Sequence, residues 1–343
     1  MNEQLELAIP FGRRRIGVSE PVMIIAEIGI NHEGDQDLCL RMIKDAADAG
    51  ADAIKLQTVD ADASYAPDTE SYKTYSRASL SPEVTGQMFK AAQDLGMEAF
   101  TTSGDIRTLE WVDRLEPAAH KVSSGLMSHI PYLRAIAAMN HPALMSTGMS
   151  EGAEIDTAVE IIRDGRVPGF GLFQCTSLYP AASDTLNLRA IAWMRDRYHV
   201  PVGFSDHSEG IDAAALAVAA GARMVEKHFS FDVKRTGFDH HISLDKSQFA
   251  QMVVRVRDVE TMLGPCGKSM TDEQAENAAK FSRYLVACRD IPQDHVLEPT
   301  DIEVMRVPPG HQGIVPSDFE LLVGRRTLRE ISRFAAFSCD DLA

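Results

Sequence analysis

The sequence predicts an α/β chain: a (β/α)8 TIM barrel over residues 1–263, a linker over 264–280, and a small β-rich domain over 281–343. Three observations carry this. Eight short apolar runs alternate with longer stretches of helical spacing in the first 263 residues. Every run finishes in hydroxyl, amide or ionisable side chains. Past a polar stretch the composition changes to short apolar segments punctuated by proline.

The first run, Val22–Ile28, contains Glu27 and leads to Asn31-His32. Asp35 can cap a helix that stops at Gly50. The second run, Ala53–Gln57, carries Lys55; a polar, Tyr-rich connection, Val59–Leu80, follows it. Ser81-Pro82 opens a helix ending near Gly96. The third run, Glu98–Thr102, continues into Ser103-Gly104-Asp105, and the fourth, His120–Ser123, carries Lys121 and reaches Ser124-Gly125. Ala143–Ser146 is the fifth, with a helix opening at Ser150-Glu151. Gly171–Cys175, the sixth, leads to Ser177 and Tyr179-Pro180. Val202–Ser205, the seventh, leads to Asp206-His207; an Ala-rich helix, Ile211–Ala220, stops at Gly221. The eighth, Arg223–His228, ends Glu226-Lys227-His228, and a second long connection, Ser230–Leu244, holds Lys234, Arg235, Asp239, His240 and His241.

Strand–helix alternation implies parallel strands with right-handed crossovers. Eight units in about 250 residues is the count of a closed barrel. A doubly wound dinucleotide-binding sheet would place G-x-G-x-x-G after the first strand, where this chain reads Glu27-Ile-Gly-Ile-Asn-His-Glu-Gly34. The tail has an apolar run at Phe281–Cys288, another at Val304–Val307, a break at Pro308-Pro309-Gly310, and a last apolar segment from Leu321. Alone it is too small to bury much core, so it is expected to pack on the barrel or on a second subunit.

Hydrophobic residues make up 45% of the 343 and charged residues 24%, which excludes disorder as the main state. Asp and Glu outnumber Lys and Arg by 50 to 34, a net charge of −16. A surface this acidic argues against nucleic acid and anionic membranes as partners. No apolar run reaches the roughly 20 residues that cross a bilayer. Met1–Arg15 holds charges of both signs and does not read as a signal peptide. Five cysteines, Cys39, Cys175, Cys266, Cys288 and Cys339, with no C-x-x-C pair, suit reduced thiols in a cytoplasmic protein.

In a barrel the reacting groups lie where the strands end. Lys55 and Lys121, on separate strands, are expected to point into one polar mouth, as point charges for a carboxylate or phosphate. The alternative is that each pairs with Glu27 or Asp206 and holds the barrel open. His207 and His228 end neighbouring strands, a common start of a divalent-metal site; two unrelated hydrogen-bonded histidines are the other reading. No cysteine is well placed for a structural zinc. Glu27 is a candidate general base. Asp206 reads as a structural acid, and His240 and His241 as surface residues, with substrate contacts as the other reading.

Taken together, Ile25-Ala-Glu-Ile-Gly-Ile-Asn-His-Glu-Gly34, Ile54-Lys-Leu-Gln-Thr58, Lys121-Val-Ser-Ser-Gly125, Ser146-Thr-Gly-Met149, Gln174-Cys-Thr-Ser-Leu-Tyr-Pro180, Phe204-Ser-Asp-His207 and Glu226-Lys-His-Phe229 have the order and spacing of a known family. The chain resembles the sialic acid (N-acetylneuraminate) synthases, and its tail from Ser282 resembles their SAF, or antifreeze-like, domain. The resemblance implies a transferase that condenses phosphoenolpyruvate with a sugar aldehyde, N-acetylmannosamine or a related hexosamine. The product would be a 3-deoxy-2-keto sugar acid plus phosphate. It implies Mn²⁺ (or Mg²⁺) on His207 and His228. It implies a domain-swapped homodimer in which the small domain of one subunit covers the other's barrel mouth. By residue matching, Lys55, Ser103, Lys121, Ser124 and Ser205 would contact phosphoenolpyruvate. Glu27, Tyr179 and Asp239 would face the acceptor, and Arg306 would be donated in trans. Four positions depart from the family pattern: Leu126 for an acid, Ser177 for an asparagine of the substrate site, Gly104 for a proline, and Thr236-Gly237-Phe238-Asp239 for Pro-Gly-Pro-Asp. The general reaction is expected to survive and the acceptor to differ. Rival readings are a metal-dependent aldolase or isomerase working without phosphoenolpyruvate, and a non-catalytic sugar-binding protein.

Overall fold

Aliphatic runs too short for helices and flanked by capping residues form the strands here, as their β-branched content favours. The computed structural model describes residues 8–265, 267–308, 310 and 313–343. Expectations touching residues 1–7, Cys266 and Pro309 lie outside the described residues. The described residues fall into two compact units, divided between Gly264 and Pro265.

The first unit opens with an antiparallel hairpin, β1 (Ile9–Phe11) and β2 (Arg14–Ile16). Eight parallel strands follow: β3 (Met23–Gly29), β4 (Ala53–Thr58), β5 (Glu98–Ser103), β6 (His120–Val122), β7 (Ala143–Ser146), β8 (Phe170–Cys175), β9 (Val202–Asp206) and β10 (Met224–His228). Each pairs with the next in order, and β10 pairs back onto β3, so the barrel closes. Almost every strand residue is buried, because helices cover the outer face and side chains fill the inner one. The hairpin was not legible in the sequence, since three-residue strands carry no period. Its Ile9, Phe11 and Ile16 join Met23, Ala53 and Met224, the first residues of their strands, and so plug the N-terminal end of the barrel.

The helices begin where capping chemistry says they should. Asp35 accepts from the Leu38 backbone N–H and starts helix Gln36–Asp48. That helix buries Cys39, Met42, Ile43 and Ala46, an i, i+3, i+4, i+7 stripe against the sheet. Truncating Met42 to alanine in this packed layer costs about 2–5 kcal/mol. Ser81 caps Pro82–Asp94 in the same way. The connection after β4 is not structureless: Asp60 caps Ala61–Ser64 and Thr69 caps Glu70–Ala78. Only Ala78 of the second helix is buried, so no apolar stripe announced it. No helix among the described residues is long and apolar enough to cross a membrane.

The second unit starts with helix Asp272–Phe281 and pairs β11 (Tyr284–Ala287) with β12 (Ile302–Met305) antiparallel. Leu285, Ile291, Leu297, Ile302, Leu322, Ile331 and Phe337 form its small core. It is built from two similar halves. Ile291 and Ile331 exchange both backbone hydrogen bonds at 2.8 Å. Twelve residues after Arg289, Asp301 accepts its guanidinium; Asp341 stands in the same relation to Arg329. Each Asp also caps a backbone N–H, of Glu298 or Ser338, closing a short 3₁₀ turn.

Candidate active site

The C-terminal ends of the barrel strands enclose a cavity of about 400 Å³. Its floor is charged. Lys55 on β4 and Lys121 on β6 both reach Glu226 on β10, Nζ to Oε1, at 2.9 and 3.4 Å. Ser205 donates to the same oxygen at 3.0 Å, and Lys121 donates to Ser146 Oγ at 2.8 Å. Lys55 also lies 2.9 Å from Glu27 Oε2. Gln57 donates to the other Glu27 oxygen at 3.0 Å, and the Tyr75 hydroxyl donates to Gln57. The register of β3 on β4 shifts between Glu27 and Gly29, a bulge beside the Glu27 carboxylate. Gly29 takes φ +56°, and a Cβ there would sit 2.8 Å from Glu27 Oε1.

Burial and charge work against each other here. Burial pushes the Glu27 carboxyl up to about 7, although Lys55 draws it down. Glu226 is equally buried, yet Lys121 and Lys55 together hold it below the usual carboxylate range. Burial brings Lys121 down to about 8 against the pull of Glu226. Lys55, with two carboxylates, stays above the ordinary lysine value despite burial. Glu226 is therefore the fixed anion of the group, and Glu27 is the carboxyl able to take or give a proton near neutral pH.

The histidines stand beside this floor. The His207 and His228 rings are 5.4 Å apart, and the Tyr179 ring stacks on His207 at 4.3 Å. His207 Nδ1 lies 2.9 Å from the Thr176 carbonyl; that contact assigns its proton to Nδ1 and leaves Nε2 as a lone-pair donor. His228 Nδ1 is buried with no hydrogen-bond partner among the described residues, and Asp239 Oδ2 is 3.8 Å away. Two imidazole donors, one orphaned, beside oxygen-rich side chains fit a divalent cation whose other positions go to water or substrate oxygens.

The expected cavity residues Lys55, Lys121, Ser124, Ser177, Tyr179, Ser205, His207 and His228 all line it. Ser124 is held by the Gly148 N–H at 3.1 Å, an approach possible only for glycine, since a Cβ would lie within 3.0 Å of Ser124, Cys175 and Ser177. Ser103 does not line the cavity, whereas Thr102 and Gly104 do; its carbonyl instead accepts from Tyr132. Glu27 and Asp239 do not themselves line the cavity: Glu27 lies behind Lys55 and Gln57, and Asp239, whose N–H Asn31 accepts, has its carboxylate 3.8 Å from His228 Nδ1. Arg306 belongs to the second unit, where its guanidinium lies over Phe281 at 4.8 Å.

The reading of His240 as a surface residue is overturned. His240 is buried, bonded to Ser230 and Glu33, and anchors its loop; the second long connection folds inward there. Cys175, at the end of the sixth run, lines the cavity with Sγ 3.8 Å from His207 Nδ1. The alternative for the lysines holds in part: Lys55 does pair with Glu27 while facing the cavity. Asp206 takes Lys227 and Ser208 in a fully buried, structural arrangement. Sequence reasoning gave no role to Glu226, Gln57, Tyr65, Tyr75 or Ser146. A signal was available for Glu226: strand period two puts it on the same face as His228, with Lys227 on the other.

The NeuB family's sequence profile matches residues 42–268, and that of the SAF domain matches residues 282–335. The chain is 34% identical over 330 residues to a pseudaminic acid synthase of Campylobacter jejuni (serotype O:23/36), covering 90% of this chain and 93% of that one. It is 33% identical over 338 residues to an N,N'-diacetyllegionaminic acid synthase of Legionella pneumophila, covering 92% and 93%. Among solved structures it superposes on the N-acetylneuraminic acid synthetase of Leptospira borgpetersenii, solved with citrate. There the TM-score is 0.77 and the identity 32%, over 80% of this chain and 96% of that one.

Proposed function

Because the chain belongs to the NeuB family and ends in a SAF domain, we propose that it condenses phosphoenolpyruvate with an N-acylated amino-sugar aldehyde, giving a 3-deoxy-2-keto sugar acid and phosphate. The observation that carries this reading is the meeting of two buried lysines and two facing imidazoles in one cavity. Phosphoenolpyruvate is a compact trianion. Lys55 and Lys121, with the Ser124, Ser146 and Ser205 hydroxyls, supply the cations and donors that such a ligand needs out of water.

The enolpyruvate C2=C3 pair forms a C–C bond from C3 to the aldehyde carbon, and the carbonyl pair moves onto its oxygen, which takes a proton. Water adds to the oxocarbenium left at C2 and loses one proton to a base; the C2–O bond to phosphate then breaks as the remaining hydroxyl proton leaves, giving the ketone and phosphate. Glu27, with a carboxyl near 7, is the group we assign as that base. His207 Nε2 and His228 would hold a divalent cation, which when bound lends Lewis acidity toward an aldehyde oxygen. Tyr179 stacks on His207 and fixes its ring. Glu226 fixes both lysine heads, so their charges are in place before the anion arrives.

Leu126 and Met149, with the rings of Tyr65, Tyr75 and Tyr179, give the cavity apolar lining beside its charged groups. Such a lining suits an acceptor carrying acylamino or deoxy positions better than a fully hydroxylated hexose. The named relatives include synthases of pseudaminic and diacetyllegionaminic acids, which supports that class. The test is incubation with phosphoenolpyruvate, Mn²⁺ and a library of amino-sugar aldehydes, with products identified by mass. The reading expects a product equal to acceptor plus pyruvate. A sugar cleaved or isomerised with phosphoenolpyruvate untouched would replace it with the aldolase reading.

A further inference from the structure

A second cluster of metal-binding side chains stands at the opposite end of the barrel. Asp113 ends helix Ile106–Asp113, His120 is the first residue of β6, and His141 lies two residues before β7. They are therefore at the N-terminal face of the strands, away from the cavity that the last strand residues enclose. His120 Nε2 is 2.9 Å and His141 Nδ1 2.8 Å from one oxygen, Asp113 Oδ1. The two rings meet edge to face at 5.5 Å. All three donor atoms lie within 4.8 Å of one another.

We propose that Asp113, His120 and His141 form a zinc-type divalent metal site on the N-terminal face of the barrel. The chemistry of the set favours it. Two imidazoles and one carboxylate are a common three-ligand complement for Zn²⁺, with water in the fourth position. Metal–ligand bonds of about 2.0–2.1 Å set tetrahedral ligand–ligand edges of about 3.3 Å. To admit the ion, the two N···O separations open by about half an ångström, the two ring nitrogens, now within 4.8 Å, settle at about 3.3 Å, and the protons these nitrogens carry toward Asp113 are lost. Two imidazole nitrogens and a carboxylate oxygen from three separate elements already meet at one point, so a single ion could be shared among them. An outer shell is present for one ring: His141 Nε2 lies 3.2 Å from Glu116 Oε2, the carboxylate–histidine relation that fixes a ligating ring, whereas His120 Nδ1 is buried with no hydrogen-bond partner among the described residues. The ion would tie a helix end to two barrel strands on the face where residues serve stability. Magnesium is a poor fit for this nitrogen-rich set.

The test uses the full chain and counts metal, so it does not depend on the proposed reaction. A His207→Ala/His228→Ala chain, equilibrated with Zn²⁺ and freed of excess, should retain one zinc per chain by elemental analysis. Adding Asp113→Asn and His141→Gln should remove it, with circular dichroism confirming the fold. Both replacements keep polar groups at partly exposed positions, and either single variant alone should weaken zinc at least tenfold. Glu116→Gln should weaken it by about 10-fold. Absence of zinc from the His207→Ala/His228→Ala chain would mean a metal-free hydrogen-bonded triad and overturn the proposal. So would zinc that survives Asp113→Asn/His141→Gln.

Discussion

Glu226 Oε1 sits 2.9 Å from Lys55 Nζ, and this ion pair joins the second strand of the barrel to the eighth across its interior. Lys121 shares the same oxygen at 3.4 Å. All three groups are buried, so removing the carboxylate leaves two cations out of water with one remaining anion, Glu27. Glu226→Gln should therefore cost about 3 kcal/mol of stability. Part of that loss should return when inorganic phosphate is added, since it can stand between the lysines. Thermal unfolding with and without phosphate checks this; an unchanged midpoint in both buffers would show that the lysines do not depend on Glu226.

Glu27 should set the acid limb of the rate profile. Burial raises its carboxyl to about 7, and the base form is the carboxylate. Activity that needs the carboxylate falls as pH drops below that value and rises through it. The profile of kcat/KM against pH reports the free enzyme and should inflect near 7. Glu27→Gln should flatten that limb and lower the rate by roughly 10²–10⁴. An acid limb that stays in Glu27→Gln would assign the proton to another group.

Leu126 packs partly against the barrel's outer core while lining the cavity. The resemblance leads one to expect an acid there. Leu126→Glu should shift preference toward more hydroxylated acceptors by roughly 10-fold or more, read as the ratio of kcat/KM for two sugars. An unchanged ratio would take Leu126 out of acceptor selection.

Asp301 should make the second unit acid-labile. Its buried carboxylate accepts from Arg289, His295 and the Glu298 N–H. Burial alone would raise it, but these partners hold it below the usual value. A depressed folded pKa means that the stabilisation is present above the unfolded carboxyl's pKa of about 3.9 and fades as pH falls through the folded one. Unfolding followed by Tyr284 environment or hydrogen exchange in this unit should show loss below about pH 4. In Asp301→Asn the contribution should be missing at every pH. A wild-type unit equally stable at pH 3 and pH 6 would contradict this.

Much of this architecture could be read in the chain because each barrel strand is a solid apolar run bounded by a helix cap, as at Asp35 and Ser81. The runs also end in the residues that line the cavity, so Lys55, Lys121, His207 and His228 declared themselves by position. What stayed hidden depended on pairing across distance. Glu226 looked like one more strand-end acid until Lys55 and Lys121 were brought to it from strands far away in sequence. Asp113, His120 and His141 are separated by helix and strand boundaries and share no short spacing. The two halves of the second unit keep only Arg, Ile and Asp at matching places, too little to show as a repeat. His240 looked exposed because its loop is polar; its burial comes from Ser230 and Glu33.

The most direct check on the account is the initial rate of phosphate release from phosphoenolpyruvate, with metal and acceptor sugar each added or withheld. One cavity holding both the anion pocket and the imidazole pair predicts release only when all three are present, and none above background in His207→Ala or in Lys121→Ala. Phosphate released at the same rate without the sugar, or undiminished in His207→Ala after chelation, would contradict it.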